Sequence, residues 1–381
     1  MGRTALVLGG GIGGITVARV LRKRLPAADR VVVVERERNH VFAPALVWHI
    51  VGDSEPADFT RPVAALQSKG IELVSGDVSR IDPSALTAVV GAKTLAGDAM
   101  IVALGADYAP ESIPGLAEHG LNLYTLAGAQ QIRSALDQFK GGRIVVLTAA
   151  PGYKCPAAPY EAAMLIEAFC RKRGLRSQTE IAIHAAEPAP MPVAGPVAGA
   201  QIKTMLERKG IAYFPQRQVA RVDDGTLHFS EGQTAAFDLL LYVPPHRAPA
   251  VVKDAGLCGE SGWVSVDRAT LATKFAKVWA IGDVTAIPLK MGRPLPKAGV
   301  FASAQAEVVA RNIASAWHGQ SAVARFDGYG MCFLETGSGM AGMGSGNFYA
   351  EPLPDVRMRY PNPFWHLAKL LHQKVWLWRH L

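Results

Sequence analysis

The chain of 381 residues is 49% hydrophobic and 19% charged, which is enough to bury large cores and corresponds to about two to three domains. Its formal charge of +8 favours anionic substrates or an anionic membrane surface, whereas the scattered lysines and arginines form no nucleic-acid motif, so no nucleic-acid partner is expected. No apolar run approaches the length of a spanning helix, no signal peptide is visible, and the four cysteines lack CxxC spacing, which argues against a metal site and a disulfide-stapled secreted scaffold and places the chain in the cytoplasm.

The first stretch, Ala5 to Glu35, reads as strand, glycine turn, helix, strand and acid. Ala5-Leu6-Val7-Leu8 leads into Gly9-Gly10-Gly11-Ile12-Gly13-Gly14, a helical segment reaches Arg24, and Val31 to Val34 closes on Glu35. Gly9 suits the tight turn, Gly11 close approach of a pyrophosphate, and Gly14 close packing of helix on strand. The helix N-terminus offers free N–H groups to phosphates, and Glu35 suits a ribose hydroxyl. A glycine run alone is equally a flexible turn; its full setting points to dinucleotide binding.

Beyond Arg36, a segment running from Phe42-Ala43-Pro44 to Val51 is expected to form a helix against the cofactor. Short strands follow at 70–74 and 76–82, and a buried strand at 100–106 ends the first half. Leu126 to Phe139 reads as a helix, and Arg143 to Leu147 opens a second unit as Leu6 opens the first. Its loop, Thr148 to Pro156, carries proline and bulky side chains where a pyrophosphate needs glycine, so the second unit is expected to keep the fold without the nucleotide.

Cys155 lies in that loop, beside Lys154 and ahead of a helical Tyr160 to Arg173. With Pro156 at the first helical position, Cys155 falls at or near an N-cap, where the dipole and the lysine favour a thiolate. Glu161, one to two turns on, is placed to face the same cavity and move protons. Cys170 reads as core packing and Cys258 as a structural loop residue. Thr179 to His184 is a strand, Gln201 to Lys209 a helix, Val219 to Ser230 hairpin-like, and Phe237 to Val243 a strand. The strand Val278 to Val284 then places Gly282-Asp283 at the carboxyl edge of a parallel sheet, ahead of a helix from Ala298 whose N-terminus stabilises negative charge on a reduced cofactor.

These motifs resemble the two-dinucleotide-binding-domain flavoproteins. Within that group, Tyr153-Lys154-Cys155-Pro156-Ala157-Ala158-Pro159-Tyr160-Glu161, Leu295 to Phe301, and Gly328-Tyr329-Gly330-Met331-Cys332-Phe333 look like sulfide:quinone oxidoreductases and flavocytochrome c sulfide dehydrogenases. The resemblance implies an α/β fold of two Rossmann-like domains: residues 1–107 and 268–327 binding FAD, 108–267 forming a second domain without an NAD site, and 328–381 a redox-cysteine and membrane region. It implies Cys155 and Cys332 as a redox pair, Glu161 as proton carrier, Asp283 at the flavin ribityl chain, Val78 at the adenine through its backbone, and Lys297 near flavin and quinone. The cofactor-binding set is then Gly9, Gly11, Ile12, Gly13, Gly14, Glu35, Arg36, Pro44, Val78, Ala103, Gly105, Gly282, Asp283 and Lys297. FAD is expected without a covalent link, because no cysteine precedes Cys155.

The implied activity is oxidation of sulfide to polysulfide or zero-valent sulfur, with electrons passing through the cysteine pair and flavin to a membrane quinone. The chain lacks the third cysteine of many sulfide:quinone oxidoreductases, and reads Met191-Pro192-Val193-Ala194-Gly195 where some carry a histidine. Rival readings are an NADH:quinone oxidoreductase of the same fold, a flavocytochrome c-type dehydrogenase, and a flavin redox sensor without turnover. The last segment, Phe364 to Leu381, follows Pro361-Asn362-Pro363 and reads as an amphipathic helix. Its apolar arc includes Phe364, Leu367, Leu371, Val375 and Trp378, with His366, Lys369, His372, Gln373, Arg379 and His380 opposite and Lys374 snorkelling. The expectation is a peripheral protein on the cytoplasmic side of the membrane, held there by this helix. Homo-oligomerisation stays open.

Overall fold

The computed structural model describes residues 2–381. Two five-stranded parallel sheets organise them. The first has the order 278–280, 99–102, 4–8, 30–35, 72–75, and every neighbouring pair runs parallel. The second repeats the plan with 121–122, 239–243, 142–148, 179–185, 211–214. The apolar runs explain this arrangement. Ala5 to Leu8 and Val31 to Val34 are buried on both faces, as strands of a sheet covered on both sides must be. A three-stranded antiparallel meander follows in each half, 78–82 with 87–90 and 93–96, and 219–223 with 226–229 and 234–236.

The chain reaches its first sheet twice. Strand 278–280 pairs with 99–102 only after the second sheet is complete, and helix Gly299–Trp317 packs against helix Ile12–Arg24. The glycine turn between strand 4–8 and its helix allows no substitute at two points. Gly9 has φ +105°, and a Cβ on Gly14 would lie 1.8 Å from the Gly9 carbonyl oxygen.

Sequence reasoning missed one layer. Residues 329–337, 340–347 and 355–362 form a three-stranded antiparallel sheet, against which the helices at 158–172 and 363–380 pack. Its middle strand, Met-Ala-Gly-Met-Gly-Ser-Gly-Asn, carries almost no β-branched residues, so propensity hides it.

The C-terminal helix, Pro363–His380, is capped by the Asn362 side chain, which accepts from the Trp365 N–H at 3.2 Å. Its apolar arc is turned away from the body, the orientation a helix docking on a membrane needs, with Phe364 66%, Leu367 62%, Leu371 62% and Trp378 78% exposed. On the polar side Lys369 and Gln373 are buried together with Trp376 and Leu377, whereas His372 and Arg379 stay exposed. That burial has a local cause, because Lys369 pairs with the buried carboxylates of Glu161 and Glu335, and the Gln373 amide donates to the Asp58 backbone carbonyl at 3.3 Å. No helix among the described residues is long and apolar enough to cross a membrane.

Candidate functional site

Two cavities meet at Cys155. The first, about 440 Å³, runs from the glycine turn to helix 158–172. Gly9, Gly11, Ile12, Gly13, Glu35, Arg36, Pro44, Val78, Ala103, Gly105, Gly282, Asp283, Cys155 and Glu161 all line it. The second, about 310 Å³, is walled mainly by apolar groups, among them Met191, Phe301, Met331, Phe348 and Met358, and holds Cys155 together with Cys332. Two members of the expected cofactor set lie elsewhere. Gly14 is consumed by packing on Gly9, and Lys297 lines the second cavity. The Lys297 ammonium donates to the Asp283 and Thr285 carbonyls at 2.8 Å and stands 3.5 Å from the Trp263 ring centroid; burial lowers its pKa to about 8.

The first cavity suits a dinucleotide. Helices 12–24 and 299–317 both begin without a side-chain cap, and their first residues line it, leaving N–H groups and positive dipole for an anion. A Cβ on Gly11 or Gly105 would meet no protein atom, so these positions border open space where backbone can touch a ligand. Asp283 Oδ1 is buried without a hydrogen-bond partner, and burial raises the pKa of its carboxyl group. An acceptor left unpaired at such a place fits a ligand hydroxyl. Glu35 accepts from the Gly10 N–H at 2.5 Å and the Glu37 N–H at 2.8 Å, and keeps lone pairs toward the cavity.

Cys155 departs from its expected setting. Helix 158–172 has Ala157 as its N-cap, so the cysteine precedes it in a left-handed conformation, φ +48°. That conformation is held by the Cys155 N–H donating to the Lys297 carbonyl at 2.7 Å and by its own carbonyl accepting from the Ala158 N–H at 2.9 Å. The surroundings of the sulfur also work against the expected thiolate. Burial pushes the Cys155 thiol well above its ordinary range, aided by Cys332 and Glu161 and opposed too weakly by Lys369 and Lys154. Lys154 stands over the Tyr108 ring, 5.0 Å from its centroid. Cys332 is likewise pushed up, to about 11, by burial and then by Glu161. Both cysteines are free thiols here. Cys170 is fully buried in the core as expected, and Cys258 sits apart in a half-buried loop.

Glu161 does face the cavity, but in company that sequence spacing cannot reveal. Its Oε1 accepts from Lys369 Nζ at 2.6 Å and from the Glu335 N–H at 2.8 Å. Lys369 also lies 3.9 Å from Glu335 Oε1, while Glu335 Oε2 is 3.0 Å from His366 Nδ1. The Trp48 ring covers this group, 4.6 Å from the Lys369 ammonium. Burial alone would lower the Lys369 pKa, but Glu161 and Glu335 raise it further, so the ammonium is its favoured resting form. Four residues from three separated segments form one chain of acid, base, acid and imidazole. The sequence signal that was available was a lysine and a histidine one turn apart on a helix with an otherwise apolar middle.

Residues 3–308 match the family described as pyridine nucleotide-disulphide oxidoreductase. The mitochondrial sulfide:quinone oxidoreductase of Mus musculus is 28% identical over 371 residues, covering 91% of this chain and 79% of that protein. A type II NADH:quinone oxidoreductase of Staphylococcus saprophyticus is 24% identical, covering 84% of this chain and 83% of its own. The solved structure of the Aquifex aeolicus sulfide:quinone oxidoreductase superposes with a TM-score of 0.89 at 22% identity, covering 99% of this chain and 91% of the other.

Proposed function

Because the chain belongs to the pyridine nucleotide-disulphide oxidoreductase family and is an oxidoreductase flavoenzyme, we propose that it oxidises sulfide with FAD and hands the electrons to a membrane quinone. The observation that carries this reading is Cys155, shared by a cavity fitted to a dinucleotide and an apolar cavity that also holds Cys332. The glycine turn, the N-termini of helices 12–24 and 299–317, and Asp283 would hold FAD, with Val78 beside the adenine. FAD bound there supplies a two-electron carrier between the cysteine pair and the quinone.

In the oxidised enzyme Cys155 and Cys332 are joined. Hydrosulfide attacks one of the two sulfurs and breaks the S–S bond, leaving a persulfide on one cysteine and a thiolate on the other. The apolar walls of the second cavity exclude water from the growing sulfur product. Burial disfavours charge on both sulfurs, so the proton that hydrosulfide brings needs an acceptor close to both cysteines, and Glu161 is the carboxylate that would take it.

The outward apolar arc of the C-terminal helix supports docking on a membrane surface, with exposed Lys374 and Arg379 among the lipid headgroups. The NADH-dependent relative keeps a rival in view, and the second unit speaks against it, since Pro151 and Tyr153 stand where a glycine cradle is required. Mixing the purified flavoprotein with sulfide and then with a soluble quinone tests the proposal. Bleaching of the flavin by sulfide and its return with quinone are expected; a flavin that sulfide leaves oxidised would end it.

A further inference from the structure

We propose that Glu335 and His366 form a proton relay joining the buried Glu161–Lys369 pair to the surface at the foot of the C-terminal helix, and that this relay supplies a proton that a quinone takes up at the cofactor cavity. The inference rests on the functional reading above. Reduction of a quinone to a quinol consumes two protons with two electrons, and a water-excluding cavity needs a route for those that come from solvent.

The geometry provides one. Glu161 lines the cofactor cavity, and Lys369 Nζ stands 2.6 Å from its Oε1. Glu335, on strand 329–337, offers one carboxylate oxygen to each side. Oε2 is 3.0 Å from His366 Nδ1, and Oε1 is 3.9 Å from Lys369 Nζ. His366 is 24% exposed at its side chain and Glu335 1%, so the series runs from solvent to a sealed interior.

Glu335 Oε1 is buried and has no hydrogen-bond partner. A purely structural ion pair would use that oxygen, because an unpaired buried acceptor costs stability. The open oxygen is the one on the Lys369 side, 3.9 Å from its Nζ, while the other receives His366. The charged or titratable groups facing Glu335 are Lys369, Glu161 and His366, and Cys332 faces Lys369. Burial favours the neutral acid at Glu335, which suits a group that must hold a proton in passing.

Each pass moves one proton and no electrons. Protonated His366 gives its Nδ1 proton to Glu335 Oε2, and the acid presents a proton from its Oε1 side. Lys369, having passed its own proton to Glu161, takes it up. Glu161 delivers its proton into the cavity, and His366, which keeps its Nε2 proton throughout, takes a new one from solvent at Nδ1. One pass supplies the proton that the quinol needs beyond the hydrogen a reduced flavin would bring with the electron pair.

The test uses the FAD-loaded enzyme reduced with dithionite, so sulfide plays no part, and mixes it with a soluble short-tailed quinone in a stopped-flow cell. Glu335→Gln, close to isosteric, should slow reoxidation about a hundredfold through kcat with little change in KM. His366→Ala should slow it comparably and recover with added imidazole. A second readout avoids turnover: in NMR of histidine-labelled enzyme at a single pH, the His366 Nδ1 resonance should move in Glu335→Gln, having lost its carboxylate partner. Reoxidation of Glu335→Gln at the parent rate, or a His366→Ala deficit that imidazole does not relieve, would overturn the relay. A parent enzyme that quinone fails to reoxidise would instead refute the functional reading beneath it.

Discussion

Lys369 Nζ lies 2.6 Å from Glu161 Oε1, so a residue of the last helix completes the electrostatics of a cavity begun by the first strand. Both groups are buried, and a buried charge that loses its partner is costly. Lys369→Met should therefore destabilise the folded flavoprotein by about 3–5 kcal/mol, while adding Glu161→Gln should restore a large part. Urea unfolding of the two singles and the double measures the coupling, and simple additivity would show that the pair carries no net interaction.

The cysteines separate chemistry from packing. Cys155→Ser and Cys332→Ser should abolish flavin reduction by sulfide, whereas Cys170→Ser and Cys258→Ser should retain most of it. Cys170 is fully buried, so its serine variant should lose about 1 kcal/mol or more of stability without losing the reaction. Stopped-flow absorbance beside thermal melts distinguishes the two effects. Normal reduction in both Cys155→Ser and Cys332→Ser would remove the redox pair from the mechanism.

NADH and NADPH should leave the flavin oxidised over seconds, because the loop from Ala149 to Cys155 places Pro151 and Tyr153 where a pyrophosphate would sit. A stopped-flow trace with NADH decides this, and rapid bleaching would favour the NADH-dependent rival.

The outward apolar arc can be tested without dismantling the fold. Cutting the chain at Arg359 would remove Lys369 and the buried Trp376 and Leu377, so truncation does not isolate membrane binding. Leu367→Ser with Leu371→Ser and Trp378→Ser alters only exposed positions. The triple variant should keep sulfide-driven flavin reduction but lose about tenfold or more in sedimentation with anionic liposomes. Undiminished sedimentation would move the docking surface elsewhere.

Most of the fold was legible because its signals are local. The glycine turn, the valine run and Gly282-Asp283 each specify a strand end or helix start through their own sterics, and all three border the first cavity. The partners of Glu161 were not legible, because Lys369 and Glu335 come from distant segments and only the hidden antiparallel sheet brings them together. Helical periodicity picked out the apolar arc of the C-terminal helix, but not the burial of Lys369 and Gln373 on its polar side, since the acids beneath the helix lie outside any local window.

Acid should loosen the protein through its buried imidazoles. Burial lowers His40, His184 and His246 from 6.5 to about 4. Between those values the unfolded chain binds more protons than the folded one, so stability is complete above about pH 6.5 and is lost as pH falls toward 4, on the order of 3 kcal/mol for each imidazole. His184 stacks between Phe214 and Phe229 at 4.6 and 5.1 Å, and its Nδ1 is buried without a partner. His184→Phe should therefore be near neutral at pH 7 and flatten the fall. Melting temperatures across this range check the claim, and an unchanged slope in the variant would refute it.

The return of strand 278–280 to the first sheet also governs how the protein is made. Until that strand leaves the ribosome, strand 99–102, fully buried in the finished sheet, offers an open apolar edge. At about 5–20 residues per second that exposure lasts roughly ten seconds or longer, during which the second sheet can fold as a unit of its own. The nascent N-terminal half therefore carries an exposed apolar edge for that time, and the cofactor cavity, which needs Gly282, Asp283 and the helix at 299–317, closes only after those residues have left the ribosome.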